Sequence, residues 1–225
     1  MKTIEQHREE IVRFGKMLHA AGMVAATDGN LSVRLKDSRI LCTPTVISKG
    51  LMEPDDLVMV DNHGRKVSGR REVSSEIGMH LFIYRMRPDI NGVVHAHPPT
   101  ATGYAAAGIP LDTALCSEII VTLGKVPLAN YATPGTQELA EGLAPLIPDH
   151  QAILMANHGV VTYGADLLTA YMNMETVEHY AKVALVTHML GRQQPLSPTH
   201  VDKLHEIRLK YQNHNHHAAA TPTKE

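Results

Sequence analysis

Apolar positions along this chain alternate between helical and strand-like spacing, and the switches mark out its elements. Over residues 3–21, Ile4, Ile11, Phe14, Leu18 and Ala21 share one helical face, and Gly22 is placed to end the helix. Two short strands, 31–35 and 39–43, flank the polar turn Lys36-Asp37-Ser38. Segments 56–61 and 66–68 bracket Asn62-His63-Gly64, a hairpin signal. The pattern then predicts a helix over 75–87, stopped by Pro88. The apolar run Gly92-Val93-Val94 reads as a buried strand that ends in His95-Ala96-His97, and an Ala-rich helix follows over 100–107. Strand-like segments at 119–123 and 125–128 precede a helix over 135–146. Residues 151–156 form another apolar strand, capped by Asn157-His158-Gly159 and followed by a strand at 160–163. Helices over 165–190 and 199–211 complete the pattern.

Strands and helices are interleaved, yet several strand pairs are joined by tight turns rather than crossover helices. That predicts an α/β domain with a mixed, mostly antiparallel central sheet flanked by helices, not a doubly wound parallel sheet. One domain is expected over 1–212. Residues 213–225, polar and Ala-rich with His214, His216 and His217, read as a disordered tail.

Composition narrows the function classes. A formal net charge of −2 gives no electrostatic case for nucleic acid or an acidic membrane surface. With 4% aromatic residues and no Trp, base-stacking platforms are excluded. Cys42 and Cys116 form no disulfide framework and suit a reducing, cytoplasmic setting. No secretion-type apolar segment or membrane-length span is visible in the sequence.

Candidate chemistry gathers at the strand ends. Side chains at i and i+2 of a strand share a face, so His95 and His97 present two imidazoles together. His158, at the end of a second strand, supplies a third. Three histidines with one position left open are the ligand set of a catalytic zinc or similar divalent ion. Thr27-Asp28-Gly29-Asn30, Thr43-Pro44-Thr45 and Ser74-Ser75-Glu76 read as parts of an anion site built from exposed backbone N–H groups, hydroxyls and a helix start. Glu76 is either a carboxylate that stabilises the helix dipole or, beside a metal, a general base or fourth ligand.

Taken together, Gly29-Asn30-Leu31-Ser32, Thr43-Pro44-Thr45, Ser74-Ser75-Glu76, His95-Ala96-His97, Tyr131-Ala132-Thr133-Pro134-Gly135-Thr136 and Asn157-His158-Gly159 resemble the class II aldolase/adducin family in order and spacing. The resemblance spans roughly residues 5–195 and is most like the members that cleave fuculose 1-phosphate. It implies a zinc-dependent aldehyde-lyase that cleaves a sugar-phosphate ketose to dihydroxyacetone phosphate and an aldehyde through a metal-stabilised enediolate. His95, His97 and His158 would bind one Zn2+ per subunit, and Glu76 would act as acid/base and metal neighbour. Gly29, Asn30, Thr45, Val46, Ser74 and Ser75 would cradle the phosphate, and the chain would form a homotetramer. Related ribulose-phosphate 4-epimerases carry Asp where Glu76 stands, which favours an aldolase.

Two positions depart from the family. The loop Thr-Pro-Thr-Gly ends here in Val46, and a β-branched residue resists the positive φ that glycine permits, so a reshaped phosphate pocket is expected. Cys116 stands near a proton-donating tyrosine of the family, which leaves Glu118 or Tyr211 as replacement donors. The alternatives are a metal-dependent decarboxylase, dehydratase or 4-epimerase on a sugar phosphate or sugar acid, and a non-catalytic adducin-head-like binding module. The three histidines and Glu76 argue against the last.

Overall fold

The computed structural model describes residues 2–220, with side chains as far as Lys210. Eight strands form one sheet: β1 (Asn30–Arg34), β2 (Ile40–Cys42), β3 (Val58–Val60), β4 (Lys66–Ser68), β5 (Gly92–Ala96), β6 (Leu128–Ala129), β7 (Ala152–Met155) and β8 (Gly159–Gly164). Their order across the sheet is β4-β3-β2-β1-β5-β8-β7-β6, and β6 with β7 is the parallel pairing in an otherwise antiparallel ladder. The mixed, mostly antiparallel sheet read from the turn signals is therefore the observed one. Helices are α1 (Ile4–Ala20), α2 (Ile77–Met86), α3 (Pro99–Ala106), α4 (Ser117–Thr122), α5 (Gln137–Leu143), α6 (Leu167–Met189) and α7 (Pro198–Ala220). Among the described residues no helix is long and apolar enough to cross a membrane. Both the expected tail, 213–225, and Tyr211 lie outside the residues whose side chains are described.

Alternation along the strands divides the core into two layers. Leu31 and Val33 of β1, Val94 and Ala96 of β5 and Val160 of β8 join Phe14, Leu18, Ala101, Met174 and Val177 from α1, α3 and α6 on one face. Val93, Ile153 and Val161 turn to the other face, where Met79 and Ile83 of α2 and Leu139 and Leu143 of α5 cover them. His95 has the parity of Val93, so it points toward the α2 layer and not into the larger core.

One expected element is corrected. Residues 119–123 form no strand; 117–122 are helix α4, with Ile119, Ile120 and Leu123 buried. Burial at i, i+1 and i+4 is one face of a helix, and packing against α6 and α7 overrides the strand preference of Ile119-Ile120-Val121. The neighbouring 125–128 segment shrinks to the two residues of β6.

Glu178, buried on α6, ties this scaffold to the end of β5. Its carboxylate accepts from the amides of Thr100 (3.1 Å) and Ala101 (2.9 Å), two of the free N–H groups at the start of α3. α3 begins two residues after His97, so the contact fixes the direction in which the chain leaves the histidine pair. Glu178→Ala should lower unfolding stability by about 1.5–3 kcal/mol, since it strands charge-paired donors. Urea denaturation checks this, and a loss below about 0.5 kcal/mol would make the contact incidental.

Candidate metal centre and anion pocket

β5 lies between β1 and β8, with His95 registered against Asn30 on one side and Val161 on the other. His97 follows the last strand residue. His158 sits in the tight turn between β7 and β8, where Asn157 takes φ 55° and Gly159 packs under His97. A Cβ on Gly159 would fall 2.5 Å from His97 Cδ2 and 2.7 Å from the Ala96 carbonyl, so glycine is what lets this turn approach. The three rings stand with centroids 4.7–5.1 Å apart.

Hydrogen bonds on the outer nitrogens orient the inner ones. His95 Nδ1–H donates to the Val160 carbonyl at 2.9 Å, and His97 Nδ1 faces the Asp28 carboxylate at 3.2 Å. Both Nε2 atoms are thereby turned inward, 3.1 Å from each other. Two neutral imidazoles would oppose lone pairs at that distance, so the space between them calls for a positive charge.

Glu76 supplies the counter-charge. It occupies the N-cap position of α2, yet its side chain makes no capping bond and reaches the histidines instead. Oε2 accepts from Asn30 Nδ2 at 2.8 Å and lies 3.3 Å from His95 Nε2. Oε1 is buried 3.2 Å from His158 Nε2 and completes no hydrogen bond. Burial alone would raise the Glu76 carboxyl, but neighbouring His95 and His158 reverse that and hold it well below the usual carboxylate range. Burial likewise opposes charge on His95, and adjacent Glu76 outweighs it and raises that imidazole. For His97, burial and then the His95 charge push the ring down to about 4.

The nitrogens of His95, His97 and His158 that could ligate an ion lie within 4.8 Å of one another. Tetrahedral zinc with bonds near 2.05 Å needs nitrogen separations of about 3.3 Å. Three converging nitrogens beside a carboxylate oxygen that completes no hydrogen bond are a donor set that a divalent cation satisfies.

The three anion segments converge next to this cluster. An isolated bridge between Pro44 and Val73, with the Thr45 amide donating to the Glu72 carbonyl at 3.0 Å, sets Thr45-Val46 beside Ser74-Ser75. Gly29 has φ 68°, and a Cβ there would meet the His95 carbonyl at 2.9 Å, so the loop that carries Asn30 can lie directly on β5. Ser74 Oγ accepts from the Glu76 amide at 3.3 Å. A cleft of about 410 Å³ continues from Ser75 and Glu76 along α2 to Arg85, with Gly135, Thr136 and Gln137 in its wall.

Val46 takes φ 54° despite its β-branched side chain, so its backbone has the left-handed conformation that glycine would favour. Its side chain is 75% exposed.

Glu118 is exposed in the first turn of α4, and no described hydrogen bond or ion pair joins its carboxylate to the histidines. Three participants were not singled out from the sequence. Asp28 orients His97. Buried Lys49 donates to the carbonyls of Thr27 (2.8 Å) and Ile47 (3.0 Å), which ties two anion segments together; burial pushes its amine down to about 8, against the pull of Asp28 and Glu76. His80 of α2 hydrogen-bonds to Asn30 and Ser32. The i, i+4, i+8 series Glu76, His80, Tyr84 was the available signal for it.

Known proteins resemble this chain in sequence and fold. A 5-deoxy-D-ribulose 1-phosphate aldolase of Bacillus thuringiensis serovar kurstaki is 32% identical over 203 residues, 89% of this chain and 94% of its own. A 3-oxo-tetronate 4-phosphate decarboxylase of Escherichia coli K12 is 34% identical over 189 residues, 82% of this chain and 89% of its own. A solved L-fuculose 1-phosphate aldolase superposes with a TM-score of 0.83 at 34% identity, covering 91% of this chain and 95% of that one. The model of the Class II Aldolase and Adducin N-terminal domain matches residues 9–185, and with the histidine–glutamate cluster and the mixed sheet in place, this chain belongs to the class II aldolase and adducin family.

Proposed function

We propose that this protein is a zinc-dependent aldolase that cleaves a phosphorylated ketose, fuculose-1-phosphate-like, to dihydroxyacetone phosphate and an aldehyde. The carrying observation is a buried carboxylate, one oxygen of which completes no hydrogen bond, set among three imidazoles beside an anion loop. His95, His97 and His158 would hold the metal, which when bound supplies Lewis-acid stabilisation of negative charge on the ketose oxygens. Backbone N–H groups around Gly29 and Val46, with the hydroxyls of Thr45, Ser74 and Ser75, would bind the phosphate, and Lys49 lies behind that loop. In the cleavage direction the hydroxyl next to the scissile bond loses its proton. The C–C bonding pair then moves onto the carbonyl fragment, and the carbon left behind is reprotonated. Glu76 Oε1 exchanges that carbon-bound proton. Glu118 or Tyr211 of a neighbouring copy is the candidate for the hydroxyl proton. The exposed Met172, Val186 and Met189 of α6, with Leu190 at its C-cap, support the reading of a homotetramer.

A second reading has a specific motive. Decarboxylation of a 3-oxo acid places the same electron pair on the same carbonyl fragment, and its leaving group, carbon dioxide, needs no second base. The residues of one chain then suffice, and the decarboxylase relatives are as similar as the aldolases. A substrate panel separates the two: ketose 1-phosphates assayed for dihydroxyacetone phosphate, and 3-oxo-acid phosphates for carbon dioxide. Release of dihydroxyacetone phosphate is expected. Carbon dioxide alone would establish the second reading, and neither product would overturn both.

Metal analysis should find one zinc per chain in the protein as purified, and His95→Ala should lose both the ion and turnover. Full metal retention in that variant would remove His95 from the ligand set. Glu76→Gln should keep the fold and most of the metal while turnover falls about 10²–10⁴-fold, the usual share of a general acid/base. A loss under about threefold would leave Glu76 an electrostatic neighbour only. Val46→Gly should leave the affinity for a phosphorylated ketose analogue within about threefold, because φ is already positive. Stability should rise by about 0.5–1 kcal/mol, as relief of left-handed strain (about 1–2) outweighs added chain entropy (about 0.5–1). Calorimetric titration and urea denaturation read the two effects separately.

A further inference from the structure

Behind Glu76, a line of buried polar side chains crosses from α2 to β1, and the chemistry above does not use it. Glu76, His80 and Tyr84 are four residues apart on α2, a rise of about 6 Å per step. Asn30 and Ser32 are two apart on β1, about 6.8 Å. The two periods nearly match, so the side chains mesh. The Tyr84 hydroxyl lies 2.8 Å from Ser32 Oγ and donates to the Ser32 carbonyl at 3.0 Å. Ser32 Oγ is 2.7 Å from His80 Nδ1, and His80 Nε2 is 2.5 Å from Asn30 Oδ1. Asn30 Nδ2 then donates to Glu76 Oε2 at 2.8 Å.

The line has one workable direction. Burial holds His80 neutral, pushed down to about 3, so the ring carries a single N–H. With that hydrogen on Nε2, it donates to Asn30 Oδ1, the amide NH₂ turns to the carboxylate, and the Ser32 hydroxyl donates to Nδ1. Every link from Ser32 to Glu76 then pairs one donor with one acceptor. With the hydrogen on Nδ1, Asn30 would have to flip and set its carbonyl oxygen against the Glu76 carboxylate, two acceptors at hydrogen-bond distance.

We propose that His80 is a positioning residue: through its Nε2–H it locks the Asn30 amide, pins Oε2 of Glu76, and so reserves Oε1 for proton exchange with substrate. The inference rests on the reading of Glu76 as the acid/base. It also redefines Asn30, whose side chain serves the carboxylate and has only its second amide hydrogen to offer a phosphate.

Two substitutions and a spectrum test it. His80→Phe fills the volume without a donor, whereas His80→Gln places an amide N–H near the Nε2 position. In the zinc-loaded enzyme, His80→Phe should lower kcat about 10–100-fold, the size expected of a displaced catalytic group, with KM within about threefold. His80→Gln should restore kcat to within about fivefold. A purely space-filling histidine would show no such rescue. Nitrogen-15 spectra of histidine-labelled protein, with and without zinc, should place the His80 hydrogen on Nε2 at neutral pH, its signal assigned by its loss in His80→Gln. A folded His80→Phe enzyme with wild-type kcat, or a hydrogen on Nδ1, would overturn the proposal. The spectrum decides even where His80→Phe does not fold. Because it is independent of turnover, it also separates failure here from failure of the acid/base reading, which Glu76→Gln tests.

Discussion

The structure depends on a buried negative charge that its surroundings are built to keep. Glu76 is a carboxylate placed at the margin of a packed core, where an isolated anion would be strongly disfavoured. It is tolerated because His95 and His158 stand 3.2–3.3 Å away and Asn30 donates to it. Each of those partners is fixed by backbone. His95 and Asn30 face each other across the β5–β1 ladder, and His158 is held in a turn whose glycine packs against His97. Removing any one support exposes the others to an unbalanced charge.

The same arrangement explains the use of both sheet faces. α1, α3 and α6 seal one face with apolar side chains, which leaves that layer chemically silent. On the other, α2 covers apolar Val93, Val161 and Ile153 but aligns its Glu76–His80–Tyr84 stripe with Asn30, Ser32 and His95 of β1 and β5. A helix rise of about 6 Å per four residues runs nearly in step with a strand rise of about 6.8 Å per two. A polar seam can therefore sit inside a hydrophobic layer without stranding donors. The reactive end of the seam emerges where the strands end, and there the loops bring in Thr45, Ser74 and Ser75.

Much of this was legible before any coordinates. Continuous apolar runs leading into histidines located β5 and β7, and the absence of crossover-length links between several strands forecast the antiparallel ladder. What stayed hidden was relational. Asp28 reads as an ordinary loop aspartate until His97 is seen beside it, and Lys49 as a solvated lysine until the Thr27 and Ile47 carbonyls surround it. The Ile119-Ile120-Val121 run looks like a strand because local preference is all a short window contains, whereas α6 and α7 decide its form. The positive φ of Val46 stayed hidden for the complementary reason. A steric preference of one residue was set against a loop whose other contacts, the Pro44–Val73 bridge among them, over-determine its path.

That over-determination bears on how one scaffold serves related reactions. Aldol cleavage and decarboxylation both move a bonding pair onto an oxygen-bearing fragment, so both need a fixed cation site and a fixed acid at carbon. Both requirements would be met by the strand-borne histidines and by the α2 seam. What differs is treatment of the departing fragment, an aldehyde that must surrender a hydroxyl proton or carbon dioxide that need not. Residues that would handle it, such as Glu118 at the exposed start of α4, lie away from the seam and outside its hydrogen bonds. Changing them perturbs neither the carboxylate nor the imidazoles. Reaction type can therefore diverge on this fold while the charged centre stays as it is, because the centre's geometry is carried by backbone pairing that the variable residues do not touch.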